Sequence, residues 1–197
     1  MSVPGEAGCD EGEKVYLRSW YISLFLRRGY SLFVYTEPLL ILSTDHRKLQ
    51  TRLLSKWPTI PIEVEPLSAS VVLSALRALG SSSPTIRAGT LDKAGPLKTD
   101  QDNFIVDAPF PTLLTAQDLS SSQVGRGEGG VWEVETLARE LKLIEGVLSV
   151  GIFCGRNGEE LLKAGKNAGG QKPVAAYFGM QDGSVVVRRA GEERKAV

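Results

Sequence analysis

The sequence predicts an α/β protein organised around a strand–helix–strand–strand–helix–strand run between Ile60 and Phe153. Three observations carry that expectation. Ile60, Ile62 and Val64 alternate with other residues, as in a strand with one buried face. Two stretches, Val72/Ala75/Leu76/Leu79 and Val134/Leu137/Leu141/Ile144, place apolar residues three and four apart, the spacing of a helix that buries one stripe. Short apolar runs follow each helix, with glycine or proline between the elements. In that order the six elements make the ferredoxin-like βαββαβ unit.

Taken in order, residues 1–13 are small, acidic and glycine-containing, and are expected to be disordered. From Lys14 to Arg28 the apolar residues fit a helical face only loosely. Leu32–Tyr35 and Leu39–Ser43 read as short strands, and the second is apolar enough for a strand buried on both faces. The polar cluster Thr44-Asp45-His46-Arg47-Lys48 follows at once. Ligands of open α/β sheets sit beyond the carboxyl ends of strands, so this cluster is a candidate site by position. On residue chemistry alone, Asp45 equally suits the cap of a helical turn over Arg47–Leu54, with the basic residues in solvent.

Ile60–Glu65 is the first strand of the unit, ended by Pro66. Ser68 is the expected N-cap of a helix that runs to Leu79 and stops at Gly80. Pro84–Ala88 and Asn103–Asp107 are the second and third strands, joined by a loop containing Gly95-Pro96. Residues 109–130 are rich in proline, serine and glycine and read as an extended surface loop. Trp132–Glu145 is the second helix and Val147–Phe153 the fourth strand. A polar insertion with about one helical turn at Glu159–Leu162 leads to Val174–Phe178 and Ser184–Arg188, strands flanking an Asp182-Gly183 hairpin turn.

Composition excludes several classes. Hydrophobic residues make up 42% of the 197, enough for a core, and Lys plus Arg equals Asp plus Glu at 23 each. A neutral chain lacks the basic surface of a dedicated nucleic-acid binder. The two cysteines, Cys9 and Cys154, and the single histidine, His46, supply neither a disulfide framework nor a metal-ligand set. Reduced thiols and a cytoplasmic location follow as expectations. Apolar runs are interrupted by Arg27-Arg28 and Glu37-Pro38, so no membrane span is expected.

Individual motifs fail their tests. Gly165-Lys166-Asn167 lacks the glycine spacing and the hydroxyl residue of a phosphate loop. The strands Ile60–Glu65 and Asn103–Asp107 carry one aromatic, Phe104, too few to stack RNA bases. Asp100, Asp102 and Asp107 lack the glycine and terminal glutamate of a calcium loop and read as a solvated turn. Trp57 and Trp132 read as packing anchors rather than ligand platforms.

Several segments together resemble one family. Lys93-Ala94-Gly95-Pro96, Thr99-Asp100 and Asn103-Phe104-Ile105-Val106-Asp107 resemble the signature of the type A ribose-5-phosphate isomerases. Ile60-Pro61-Ile62-Glu63-Val64, Gly146-Val147-Leu148 and Gly151-Ile152-Phe153 are similar to strands of the same family. Tyr177-Phe178-Gly179-Met180-Gln181-Asp182-Gly183-Ser184-Val185 resembles the closing hairpin of its eukaryotic form. The resemblance runs in order over residues 39–189.

It implies a Rossmann-like α/β domain, of which residues 14–48 are a remnant, and a smaller ferredoxin-like domain at 60–153. Residues 173–189 then form a hairpin returning to the first domain. It further implies isomerisation of ribose 5-phosphate to ribulose 5-phosphate through an enediolate, within the non-oxidative pentose phosphate pathway. A carboxylate base, a phosphorylated pentose substrate, association into a homo-oligomer, and no metal, organic cofactor, nucleic acid or membrane partner complete the expectation. The Asp-x-x-Lys element after the family's last large-domain strand is matched by Asp45-His46-Arg47-Lys48, which makes Lys48 the substrate-binding residue. The DGADE-like and KGGGAALxxEK-like motifs, whose second member carries the family's base, have no counterpart in the sequence. No residue is therefore assigned as catalytic, and a truncated chain, inactive alone, is the corollary expectation. The alternative is a non-catalytic ferredoxin-like module for ligand binding or subunit association.

Overall fold

The computed structural model describes residues 16–17, 41–89, 95–120, 123–166 and 170–189. In chain order these hold β1 (Tyr16–Leu17), β2 (Ile41–Asp45), β3 (Thr59–Val64), α1 (Ala69–Ala78), β4 (Thr85–Ile86) and β5 (Phe104–Pro109). Then come α2 (Val134–Leu143), β6 (Val147–Val150), β7 (Ile152–Phe153), α3 (Gly158–Lys163), β8 (Ala175–Gly179) and β9 (Val185–Arg189). The fold is a mixed α/β arrangement, with three separate sheets among the described residues.

The largest is antiparallel, in the order β4-β5-β3-β6. Its register explains its core. Ile60 lies opposite Ala108, and Ile62 lies opposite both Val106 and Val150, so these side chains share one face. That face is covered by Val72 and Leu76 of α1 and by Leu137 and Leu141 of α2, and all of these residues are buried. The period-two and period-3.6 patterns of the sequence meet in a single cluster.

The helix ends follow local chemistry. α1 stops at Gly80, whose φ of 101° is left-handed and favours glycine. There Gly80 N donates to Arg77 O at 2.9 Å and Ser81 N to Leu76 O at 3.0 Å, a Schellman closure. Ser68 precedes the helix without a side-chain cap, because a short 3₁₀ turn, Pro66–Ser68, already leads into it. α2 starts two residues later than the periodicity predicts, since the carboxylate of Glu133 caps it by accepting from the backbone N of Glu135 and Thr136. Trp132 packs into the core and donates its indole N–H to Leu79 O at 2.7 Å, satisfying a carbonyl at the end of α1.

Several expectations need correction. Val147–Phe153 is two strands: β6 belongs to the large sheet, and β7 pairs antiparallel with β1. The break falls at Gly151, where a Cβ would lie 2.6 Å from the carbonyl oxygen of Pro61. β1 also replaces the loosely helical reading at Tyr16–Leu17; the rest of 1–40, with the expected strand 32–35, lies outside the described residues. β2 overlaps the expected strand at Ile41–Ser43 and runs on through Thr44 and Asp45, which the sequence places in the polar cluster beyond it; it pairs parallel to β8, but Ile41 is 53% exposed and Ser43 is exposed. Among the described residues β2 is an edge strand of the sheet β2-β8-β9. Apolar composition alone does not distinguish edge from centre.

The helical turn expected over 47–54 contracts to a 3₁₀ turn, His46–Lys48. The stretch 109–130 is not merely a surface loop, because Phe110 and Leu113 are buried in the main core. The hairpin of β8 and β9 forms as predicted, with Ser184 N donating to the Asp182 carboxylate at 2.9 Å. Ser184 also draws the Asp182 carboxyl below its ordinary range by hydrogen bonding. Among the described residues, no helix is long and apolar enough to cross a membrane.

Candidate functional site

The candidate site is built at the carboxyl end of β2. Parallel pairing sets Thr44 opposite Phe178 and Asp45 opposite Gly179, so both strands end together. The hydroxyl of Thr44 is buried and has no hydrogen-bond partner among the described residues. Such a group costs about 1–3 kcal/mol when left unmet, which marks the strand end as a place suited to a polar ligand atom. Next, the turn His46–Lys48 brings three basic side chains into succession, none of them fully buried.

A braced loop follows that turn. The side-chain oxygen of Gln50 accepts from Lys56 N at 3.1 Å and from Trp57 N at 3.4 Å, folding the loop back on its start. The backbone oxygen of Gln50 accepts from Arg188 of β9 at 3.2 Å, which ties the loop to the hairpin. Leu53 and Leu54 are buried, and Leu53 O accepts from Leu113 N at 3.1 Å. Arg52 forms a bidentate pair with Asp118 at 2.5 and 2.8 Å. That guanidinium, more than any other neighbour, holds the Asp118 carboxyl well below the usual carboxylate range.

The loop returns Trp57 to Lys48. The ammonium of Lys48 lies 3.1 Å from the centroid of the Trp57 ring, within the range of a cation–π contact. Trp57 is half-buried and packs against the main core, as a packing anchor does. It is also a platform for a cation, a role absent from the sequence reading. No local pattern announces this contact, since nine residues and a turn separate the pair. Lys48, the one predicted site residue, therefore stands at the strand end with its head group held beside an indole.

The other polar clusters are internally satisfied. Glu63 is buried and accepts from Thr99 Oγ1 at 2.9 Å and Asn103 Nδ2 at 3.0 Å. Asp107 is not part of a solvated acidic turn: it sits on β5 and forms a bidentate pair with Arg87. Asp102, by contrast, lies in a turn and faces Lys98 at 3.3 Å. The Gly165-Lys166 pair closes α3 through Lys166 N donating to Leu161 O, so it is a helix terminus. No group of three or more metal-ligating side chains occurs among the described residues.

Residues 38–168 match the family model described as ribose 5-phosphate isomerase A (phosphoriboisomerase A). The chain belongs to that family. A ribose-5-phosphate isomerase of Mycosarcoma maydis is 33% identical over 151 residues, covering 76% of this chain and 41% of the relative. One from Schizosaccharomyces pombe is 30% identical over 167 residues, covering 84% of this chain and 48% of the relative. The chain thus spans less than half the length of both. A solved D-ribose-5-phosphate isomerase in complex with phospho-erythronic acid superposes with a TM-score of 0.52 at 26% identity, covering 77% of this chain and 49% of that one.

Proposed function

We propose that this chain serves the interconversion of D-ribose 5-phosphate and D-ribulose 5-phosphate, and that Lys48 binds the anionic substrate. The observation that carries the reading is the family match over 38–168, which includes the strand end where Lys48 stands. A phosphorylated four-carbon acid in a family structure supports a site for phosphorylated sugars. We assign residues 60–153 to a ferredoxin-like α/β domain. The β4-β5-β3-β6 order supports it, being that unit's own antiparallel arrangement. Residues 14–48 and the hairpin 173–189 are assigned to a Rossmann-like part, supported by the parallel pairing of β2 and β8. A homo-oligomer in the cytoplasm completes the proposal. The family match favours it over a non-catalytic module.

In this aldose–ketose isomerisation a carboxylate base removes the C2 proton of the aldose. The electron pair moves into a 1,2-enediolate; the proton returns at C1 while the O2 hydroxyl proton is transferred to O1, leaving the carbonyl at C2 of the ketose. A cation beside the substrate lowers the cost of charge developing on oxygen. Lys48 contributes such a charge, with three N–H donors. The base is assigned to no residue of this chain.

The test is calorimetric titration of the 197-residue chain with ribose 5-phosphate, alongside an isomerisation assay. Lys48→Ala should weaken binding by about 10- to 100-fold, the loss of one charge-assisted contact. Ribose without its phosphate should bind far more weakly than ribose 5-phosphate. Equal affinities for the parent chain and Lys48→Ala would remove Lys48 from the site.

A further inference from the structure

We propose that Trp57 is the positioning residue for Lys48: its indole face holds the ammonium at the strand end and through it sets affinity for the anionic substrate. The proposal rests on the reading of Lys48 as substrate-binding and adds a residue to it.

A lysine at the end of a strand has a long, mobile side chain. Fixing it on binding costs rotamer entropy. A site that restrains the lysine beforehand meets that cost in folding rather than in binding. Trp57 is suited to this because its own position is settled by other contacts. Its ring packs against the main core. Its backbone N is held by the Gln50 side chain, and the adjacent Pro58 O accepts from Phe110 N at 3.3 Å. The Gln50 backbone is in turn held by Arg188. A stiff platform therefore faces a flexible cation, with 3.1 Å from ammonium to ring centroid. An indole offers an apolar ring with a negative face, which attracts an ammonium without neutralising it.

A purely structural role for Trp57 predicts something different. Its loss would then loosen the loop whatever stands at position 48. The positioning role predicts that the effect on binding runs through Lys48.

The experiment uses the 197-residue chain labelled with ¹³C-lysine, with Trp57→Leu, Trp57→Phe, Lys48→Met and the double variant Lys48→Met/Trp57→Leu. The Lys48 ε-methylene protons, identified by their absence in Lys48→Met, should be shifted upfield by the indole ring current in the parent chain. Trp57→Leu should abolish that shift and weaken ribose 5-phosphate binding by about three- to tenfold. Trp57→Phe should retain part of both. In the Lys48→Met background, Trp57→Leu should change affinity no further, as a double-mutant cycle requires when one residue acts through the other. Unshifted Lys48 protons in the parent chain overturn the proposal. So does a Trp57→Leu affinity equal to the parent's, or an equal loss in both backgrounds. If Trp57→Leu fails to fold, Trp57→Phe carries the same comparison, and an unchanged shift and affinity there also overturn it. No ribose 5-phosphate binding by the parent chain, with the ring-current shift present, sinks the assignment of the site itself and this role with it.

Discussion

The sheet β4-β5-β3-β6 and the sheet β2-β8-β9 differ in how they close. Ile60, Ile62, Val64, Val106, Leu137 and Leu141 are fully buried between the four strands and two helices of the first. The second gathers a small cluster, Phe153, Ala176 and Phe178, with Leu49, Met180 and Val186 partly buried against it. Val185 is 58% exposed and Ile41 53%. Sheets of similar apolar content thus end up with very different apolar area removed from water. Among the described residues, burial, the dominant favourable term in folding, is concentrated in the first. The candidate site is on the less buried one, at the end of β2. Its parts are fixed to the closed unit through the loop 49–58, whose Leu53, Leu54 and Trp57 all pack into the main core.

The sharpest way to break that contrast is to truncate one side chain in the core over the first sheet and one on the second sheet. Leu137→Ala should cost about 2–5 kcal/mol, the transfer loss plus an unrelaxed cavity. Val187→Ala, on the partly exposed β9, should stay within about 0.5 kcal/mol. Urea unfolding of both variants measures the difference. Comparable losses would mean that the valines of β9 are buried in solution and that the two sheets are equally closed.

Gly151→Ala sharpens the boundary between β6 and β7. The added Cβ would meet the Pro61 carbonyl oxygen at 2.6 Å, and Gly151 N donates to that same oxygen at 2.8 Å. A backbone oxygen has no rotamer to yield, so the strand must shift. A loss of about 1–3 kcal/mol is expected, with faster amide exchange at Ile152 and Phe153. Unchanged stability and exchange would mean that the close approach to β3 does not set the break.

Why Gly151 escapes the sequence is instructive. Val147 to Phe153 is apolar but for Ser149 and Gly151, as a single strand can be, and the reason for the break lies across the sheet at Pro61. By contrast, the elements from Ile60 to Val150 are legible because each is patterned locally, at 60/62/64, 72/76 and 137/141. Ile41–Ser43 is legible as part of a strand but not as part of an edge strand among the described residues, since its exposure depends on its neighbours. Phe110 and Leu113 are hidden by prolines and serines although both enter the core. Lys48 is proposed for the site on the family resemblance of Asp45-His46-Arg47-Lys48, since the residue pattern alone equally suits solvated basic side chains. Trp57 is not legible, because Gln50 and the loop bring it there, and a nine-residue separation has no period to betray it. Asp107 and Arg87 pair for the same kind of reason: only the β4–β5 register makes them neighbours.

The smallest expected effect tests how the loop between the two sheets is held. Arg52 and Asp118 join that loop to the segment after β5, with side chains 38% and 24% exposed. Asp118 also accepts from Thr115 N and Oγ1 at 2.7 and 2.8 Å. Because these partners lower its carboxyl pKa in the folded chain, the folded state binds fewer protons than the unfolded state as pH falls. The stabilisation is therefore complete above the ordinary carboxylate value of 3.8 and is lost as pH drops below it, towards the lower folded value. Partial exposure keeps the pair near the surface scale of about 0.2–1 kcal/mol. Asp118→Asn should lower the thermal midpoint slightly at pH 7, and the gap to the parent chain should narrow between pH 4 and pH 2. A gap that stays constant over that interval would mean that the charge of Asp118 contributes nothing and that the loop's other contacts hold it.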